Sequence, residues 1–189
     1  MNGEFADITV LNEDPVIRFL ISIFPAVIGA VLLYLLGSDI YMPVSKVFIA
    51  FYFALGVGWI LSPAIALASG IHPVWVILIL VFISSESSLI VSANYPLLEK
   101  VPLLGTYMKR LRSRAMDVIE KKKIIKKVEY LGIFWLMFLP VYGFGPNVMT
   151  LVGRLLGLEW KRVWAVITFS AAVRFSLVTV LLYIGYLSI

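Results

Sequence analysis

The chain has 189 residues, of which 61% are hydrophobic and 14% are charged, with a net charge of +5 and a mean hydropathy of +1.00. Soluble domains carry roughly 45–50% apolar and about 25% charged residues, so this composition excludes an ordinary soluble protein. The apolar residues fall in about five long blocks and not in the alternating pattern of a β-barrel, which predicts an all-α integral membrane protein.

The N-terminal region predicts an acidic tail followed by a retained membrane span. Residues 1–15 carry four acidic side chains and lack the basic start of a signal peptide. Residues 16–36 are apolar except for Arg18, and their number is about the 20 that a hydrocarbon core requires. We therefore expect the first transmembrane helix here.

The next two apolar blocks differ in regularity. Residues 47–69 are interrupted by glycines and by Pro63, so this block is either one bent helix or a re-entrant pair of half-helices. Residues 73–93 begin with a proline at a first-turn position, which costs no hydrogen bond, and form a further span that contains Glu86. Together with the first span they make up a first membrane half, residues 16–94.

The segment 95–130 carries most of the positive charge. Ten Lys and Arg residues lie between Lys100 and Lys127, mixed with apolar residues at loosely helical spacing. We interpret it as an amphipathic helix on the cytoplasmic face of the plasma membrane, where anionic lipid attracts basic side chains. A solvated loop helix that only fixes the topology is the alternative. Such a distribution indicates positive-inside bias and not a nucleic-acid footprint. The residues expected to contact the lipid surface are Lys109, Arg110, Arg112, Arg114, Lys121, Lys122 and Lys123.

The second membrane half, residues 131–189, begins with a block whose composition disfavours one continuous helix. Its middle reads FLPVYGFGPN, with two prolines and two glycines. A single crossing would also place Arg154 opposite the basic segment, against the charge bias. A re-entrant hairpin within residues 131–158 resolves both problems, and broken backbone at membrane depth is tolerated where it lines a cavity. The residues of this block that we expect along a substrate or ion path are Pro140, Gly143, Gly145, Pro146, Asn147 and Arg154.

The last span, residues 163–186, resembles the third span in a faint internal repeat. Gly70 and a later Val-Trp pair align with Gly157 and a second Val-Trp pair, and a block broken by proline and glycine precedes each copy. This arrangement is typical of inverted-repeat transporters, in which paired discontinuous helices meet at a central site.

Each copy also holds one ionisable residue near the middle of its helix, Glu86 in the first and Arg174 in the second. A charge near the bilayer centre costs roughly 2.5–3.5 kcal/mol, so it usually faces a partner or water. We therefore expect Glu86 and Arg174 to meet near the midplane and, with Pro63, to line the transport path. A buried ion pair that only fixes helix packing is the alternative.

Two stretches resemble a known family. VEYLGIFWLMFLPVYGFGPNVMTLVGRLLGLEWKRVWAVITFSAAVRF and SPAIALASGIHPVWVILILV are similar to the hairpins and following helices of the small multidrug export family, within the wider DedA or VTT-like group. The resemblance implies two re-entrant hairpins that enter from opposite faces, a transport role, and lipid-linked phosphates as a substrate class. The acidic and basic pair that the family carries before its first hairpin proline is absent before Pro63, so the resemblance does not carry over a proton-coupled mechanism.

Two functions of different classes follow. The first is a transporter or lipid translocase that moves a small amphipathic or phosphate-bearing substrate, with proton coupling left open. The alternative is a non-transporting membrane scaffold or complex subunit that docks a partner or anionic lipid through the basic segment. An enzyme is not expected, because the chain has no cysteine and no clustered His, Asp or Glu set for a catalytic or metal site. The expected partners are membrane lipids and the transported substrate, and no cofactor is expected. The identity of the substrate, the direction of transport and the formation of a homo-oligomer stay open.

Overall fold

A computed structural model of the protein describes residues 15–54, 57–98, 125–137 and 145–187. All regular secondary structure in this part is helical, as the composition predicts, and this part contains no strand. Its seven helices are α1 (Pro15–Leu35), α2 (Ser38–Phe53), α3 (Gly58–Ala68), α4 (Pro73–Leu98), α5 (Ile125–Leu136), α6 (Pro146–Leu155) and α7 (Trp160–Leu187).

Two of these helices are long and apolar enough to cross a membrane. The candidate spans are Pro73–Leu97 in α4 and Trp160–Gly185 in α7, with mean hydropathies of 2.3 and 2.0. Phe19–Leu35 and Gly58–Ala68 are apolar but shorter. The predicted third and last spans therefore have the length of full crossings, whereas the second and fourth blocks are divided among shorter helices.

The second apolar block forms two helices in contact with each other. α2 ends at Phe53, α3 begins at Gly58, and the two helices pack against one another. A Cβ atom on Gly58 would lie 2.8 Å from the carbonyl oxygens of both Ala50 and Phe51, so the two backbones approach closely here. This block is therefore a helix, a break and a second helix, and not one bent helix.

The described part of the fourth block also contains two helices. α5 ends at Leu136 and α6 begins at Pro146, which occupies a first-turn position after the extended N-cap residue Gly145. The predicted path residues Pro140 and Gly143 lie outside the described residues. With 11 residues in α3 and 10 in α6, each short helix extends roughly 15 Å, about half the thickness of a hydrocarbon core.

Described helices extend into both ends of the predicted basic segment 95–130, α4 at its start and α5, which begins at Ile125, at its end. α4 continues through Pro96 to Leu98, so residues 95–98 belong to the long helix and not to the segment that was expected to start at residue 95. Tyr95 is buried there. The lipid-contact residues expected between Lys109 and Lys123 lie outside the part of the chain that the structure describes, and so does the acidic tail as far as residue 14.

Two equivalent turns join the short helices to the long ones. Gly70 lies between α3 and α4 with φ of 79°, and Gly157 lies between α6 and α7 with φ of 78°. The Ile71 amide donates to the Ala66 carbonyl at 3.1 Å, and the Leu158 amide donates to the Gly153 carbonyl at the same distance. Both turns end their short helix with a left-handed glycine, the conformation that commonly caps helix C-termini.

The same spacing relates the long helices. Eighty-seven residues separate Gly70 from Gly157, and at this spacing Val76 matches Val163 and Leu80 matches Ile167, all fully buried. Arg174 then corresponds to Ser87. This register, set by the turn glycines and the buried positions, differs by one residue from the repeat alignment that pairs Glu86 with Arg174.

The helix pair α3–α4 and the helix pair α6–α7 pack against each other around one core. α4 and α7 make the most extensive contact, and each short helix packs against both long helices. α6 runs in the same direction as α4, because Thr150 contacts Ser88 and Arg154 lies over Tyr95. The turn at Gly157 reverses the chain, so α7 runs opposite to α4. The buried core residues are Val47, Ala66, Val76, Leu80, Ile133, Met137, Met149, Leu158, Val163, Ile167, Ala171 and Phe175.

The left-handed turns make a first prediction about stability. We expect Gly157→Ala to lower the free energy of unfolding by about 1–2 kcal/mol, because a Cβ atom is strained at this φ, and Gly157→Asn to cost less because asparagine tolerates the conformation. Gly185→Ala is the control, since nothing lies within 4 Å of a Cβ atom there. Thermal unfolding in detergent measures the difference; equal values for Ala and Asn at position 157 would contradict it.

Candidate functional site

The centre of α4 carries five consecutive polar residues, Ser84–Ser88, which we term the α4 polar run. Successive residues of a helix point about 100° apart, so a continuous run faces all sides. Four of the five contact a different helix each. Ser85 contacts α7, Glu86 contacts α1, Ser87 contacts α2 and Ser88 contacts α6. The run is therefore the polar junction of the helix bundle.

Glu86 connects α4 to α1. Its side chain is 7% exposed, and its Oε1 accepts a hydrogen bond of 3.2 Å from the backbone amide of Ala26. Pro25 precedes this amide inside α1, and a proline inside a helix removes one donor and displaces the preceding turn. No cation pairs with Glu86 among the described residues, whose one ion pair is the exposed Arg162–Glu159 contact.

Hydroxyl groups make the neighbouring connections to α2 and α6. The Tyr52 hydroxyl hydrogen-bonds the Ser87 hydroxyl, which also donates to the Ile83 carbonyl at 2.7 Å. Thr150 Oγ1 lies 2.7 Å from Ser88 Oγ and equally close to the Pro146 carbonyl. One hydroxyl proton serves one acceptor, so Thr150 donates to Pro146 and accepts from Ser88. Hydrogen bonds of this kind join helices in membranes.

Ser85 connects α4 to α7. Its Oγ accepts hydrogen bonds from the Trp164 indole and from the Thr168 hydroxyl, each at 3.0 Å. Trp164 and Thr168 are four residues apart on α7 and so lie on one face. This contact fixes the position of α4 relative to α7 along the helix axes.

A second polar layer lies towards the C-terminal end of α4. Asn94 donates from Nδ2 to Ser22 of α1 at 2.9 Å. Arg154, a predicted path residue, donates from Nη1 to the Leu158 carbonyl at 2.7 Å and places its guanidinium 5.2 Å from the centre of the Tyr95 ring. Arg154 is therefore half-buried at the turn between α6 and α7, packed against the end of α4.

Arg174 lies in the middle of α7 and is 6% exposed. Its guanidinium carbon lies 4.7 Å from the centre of the Trp59 ring of α3. Its Nε atom is fully enclosed and has no hydrogen-bond partner in the described part of the chain. A cation–π contact returns about 2 kcal/mol when desolvated, whereas burying an ion costs several kcal/mol. The contact with Trp59 therefore offsets only part of the cost of this charge.

The expected ion pair between Glu86 and Arg174 does not form. Two features of the packing explain this. Ser85 faces α7, so its neighbour Glu86 points about 100° away, towards α1. The hydrogen bond from Thr168 places Ser85 of α4 beside Thr168 of α7. Arg174 lies six residues further along α7, which is about 9 Å at 1.5 Å per residue. The two charges therefore occupy separate environments.

The remaining predicted path residues are spread along the short helices. Pro63 is buried inside α3, Gly145 and Pro146 are half-buried at the start of α6, and Asn147 is exposed. The sequence interpretation did not single out the serines of the α4 polar run, although five adjacent polar residues within an apolar helix are a visible signal. Tyr52 and Trp59 carried no such signal, because their partners are distant in sequence. Within the residues described, no group of three His, Cys, Asp or Glu side chains could hold a metal ion.

Comparison with known proteins places the chain in one family. No curated protein and no solved structure matches it. Residues 45–177, well over half of the chain, match the family described as "Putative small multi-drug export protein". The match includes α3, α4, α6 and nearly all of the buried part of α7, and with the two candidate spans it indicates a membrane protein. It also confirms the family that the two sequence stretches resemble, while membership of the wider DedA group stays a prediction. The chain belongs to the small multidrug export family.

Proposed function

We propose that the protein exports a small amphipathic substrate across the cell membrane and couples this export to proton movement through Glu86. The observation that carries the proposal is the environment of Glu86, a buried carboxyl in the middle of a candidate span that has no cationic partner among the described residues. A carboxyl group in such a place can lose its charge by binding a proton, and intramembrane carboxyls recur as proton relays.

The attachment of Glu86 to α1 supplies a mechanism for coupling. A charged carboxylate accepts a stronger hydrogen bond from the Ala26 amide than a neutral carboxyl does. Proton binding therefore weakens the connection between α1 and α4 next to Pro25, which already removes one backbone donor from α1. In this proposal the protonation of Glu86 changes how α1 packs against α4 during the transport cycle.

The two short helices supply the substrate path. α3 and α6 run in opposite directions and end in turns at opposite ends of the α4–α7 pair, an arrangement that supports re-entrant hairpins entering from opposite faces. Transporters of inverted-repeat architecture place their binding site between such paired half-helices. Translocation of a phosphate-bearing lipid, as among DedA-like proteins, is one form of this function.

Transport in proteoliposomes tests the proposal. The probes are ethidium, a fluorescent amphipathic cation, and short-chain phosphatidic acid with a fluorescent label. We expect at least one to move under an imposed proton gradient. We expect Glu86→Gln to lower that rate at least about tenfold, a barrier change of about 1.4 kcal/mol, and to abolish its dependence on the gradient.

Glu159→Gln is the matched control, because Glu159 is an exposed carboxylate of the turn before α7, outside the polar junction. It should transport at the wild-type rate. Movement of neither probe by the wild-type protein would argue against export. An unchanged gradient response in Glu86→Gln would remove Glu86 from the coupling step.

The proposed orientation puts the basic segment on the cytoplasmic side. We expect the Ser113→Cys variant of this chain, which has no cysteine of its own, to resist an impermeant maleimide in intact cells and to react in inside-out vesicles, because basic loops stay in the cytoplasm. An Asn2→Cys variant serves as a second reporter, in the N-terminal tail. Labelling of the Ser113→Cys variant in intact cells would reverse the orientation.

A further inference from the structure

Arg174 and Glu86 are both buried, and neither faces an opposite charge of a described residue, but they differ in one chemical respect. A carboxyl can become neutral by binding a proton, whereas the guanidinium of arginine stays protonated in proteins. Arg174 therefore carries its positive charge whenever it is buried. A buried charge that cannot be removed needs an anion or water beside it.

The hydrogen-bonding edge of Arg174 has no partner among the described residues, and its enclosed Nε makes no hydrogen bond. Trp59 covers the face of the guanidinium, with 4.7 Å between the guanidinium carbon and the ring centre. Hydrogen bonds of a guanidinium lie in its plane, along the edge, and none is made to a described residue. Arginine edges of this kind bind carboxylates and phosphates through two parallel hydrogen bonds.

The neighbouring polar groups do not fill this role. Ser170 lies one turn earlier on the same face of α7, but its hydroxyl donates to the Val166 carbonyl. Glu86 accepts its hydrogen bond from α1, on another side of α4. Within the described residues, the protein thus supplies an aromatic surface and a cation and leaves the anion to be supplied from outside.

We propose that the edge of Arg174 binds an oxyanion group, a carboxylate or a phosphate, of the exported substrate, with Trp59 holding the guanidinium in place. This inference rests on the proposed export function and names its substrate class: the protein exports amphipathic anions. The word multidrug in the family description does not specify a charge.

Binding can be measured separately from transport. The wild-type protein in nanodiscs of phosphatidylcholine is titrated with dodecyl phosphate, with inorganic phosphate, and with dodecyltrimethylammonium, which has the same tail and the opposite charge. Empty nanodiscs correct for partitioning of the two detergent-like probes. The variants are Arg174→Met, Arg174→Lys and, as the matched control, Arg162→Met, since Arg162 is exposed at the start of α7.

We expect the wild type and Arg162→Met to bind dodecyl phosphate and not the cation. Arg174→Met should bind it at least about 30-fold more weakly, as expected when one member of a buried charge pair is removed. Arg174→Lys should show an intermediate loss, because lysine keeps the charge without the two-pronged edge. Binding of inorganic phosphate as well would identify a free anion as a second source of the same chemistry, and its absence would identify the headgroup of an amphipath.

Thermal unfolding measured without ligand separates a loss of binding from a loss of folding. Without ligand, Arg174→Met should unfold at the same temperature as the wild type or higher, because replacing a buried charge by an apolar side chain is often neutral or stabilising. Equal affinity of wild type and Arg174→Met for dodecyl phosphate would overturn the proposal, as would preference for the cation. If ethidium moves in the transport assay while these binding results are negative, the export function stands and the anionic substrate class falls.

Discussion

Replacing Gly58 by alanine should lower the free energy of unfolding by about 2–3 kcal/mol, at the upper end of what overpacking costs. The new Cβ atom would lie 2.8 Å from two backbone carbonyl oxygens of α2, those of Ala50 and Phe51. Backbone atoms inside a helix cannot rotate away as a side chain can. The contact between α2 and α3 must open, and with it the position of Trp59, the next residue along the chain.

Two other glycines provide a graded comparison. At Gly153 an added Cβ would meet the Val163 methyl groups at 2.9 and 3.0 Å. These belong to a stiff side chain, so we expect a loss of about 1 kcal/mol. At Gly132 nothing lies within 4 Å, and alanine should stabilise the helix by about 0.5–1 kcal/mol.

Thermal unfolding of the three alanine variants in one detergent should therefore follow the order Gly132, Gly153, Gly58, from most to least stable. If Gly58→Ala were as stable as Gly132→Ala, the close approach of α2 and α3 would not exist.

The long helices were predictable from the sequence because apolar runs of sufficient length leave few alternatives. The residues 73–93 became α4, and the last span became α7, each extended by a few residues. The end of α4 was missed because Pro96 and the approaching charges suggest a loop, whereas the packing of Tyr95 beneath Arg154 continues the helix. Tertiary contact, which no local pattern records, decided that boundary.

The internal repeat also shows how far local sequence patterns can be used for prediction. Gly70 and Gly157 were matched from the sequence, but the Val-Trp pairs are two residues out of register with these glycines. At the spacing of the glycines, the buried Val163 corresponds to the buried Val76, whereas the sequence alignment paired it with Val74. In apolar helices valine and tryptophan recur by chance, whereas a left-handed glycine is required by the backbone. The glycines were therefore the better markers.

The burial of the two ionisable residues could be predicted from the sequence, but their relative arrangement could not. Glu86 and Arg174 are buried as expected, because ionisable residues inside spans avoid lipid. Their pairing was not predictable, because it depends on the rotation of each helix about its axis. The contact between Ser85 and α7 sets this rotation for α4 and turns Glu86 away from Arg174.

The separation of the two charges leads to the last prediction, which concerns Glu86→Gln, Arg174→Gln and the double variant. For a direct ion pair, each single substitution leaves an uncompensated buried charge, and the double variant recovers what the singles lose. The charges of this protein have different partners, the Ala26 amide and the Trp59 ring. We therefore expect each single variant to lose transport at least about tenfold and the double variant to recover none of it.

The protein contains its own comparison for this experiment. Arg162 and Glu159 form an ion pair with 2.9 Å between Nε and Oε2, and both side chains are largely exposed. Their double-mutant cycle should show a coupling energy of about 0.2–1 kcal/mol, typical of surface pairs, with no effect on transport. For Glu86 and Arg174 the unfolding free energies should instead add to within about 0.5 kcal/mol, as they do for sites without shared partners. Recovery of yield or transport in the Glu86→Gln, Arg174→Gln double variant would show that the two charges meet at some stage of the cycle, because only a direct pair makes the second neutralisation beneficial.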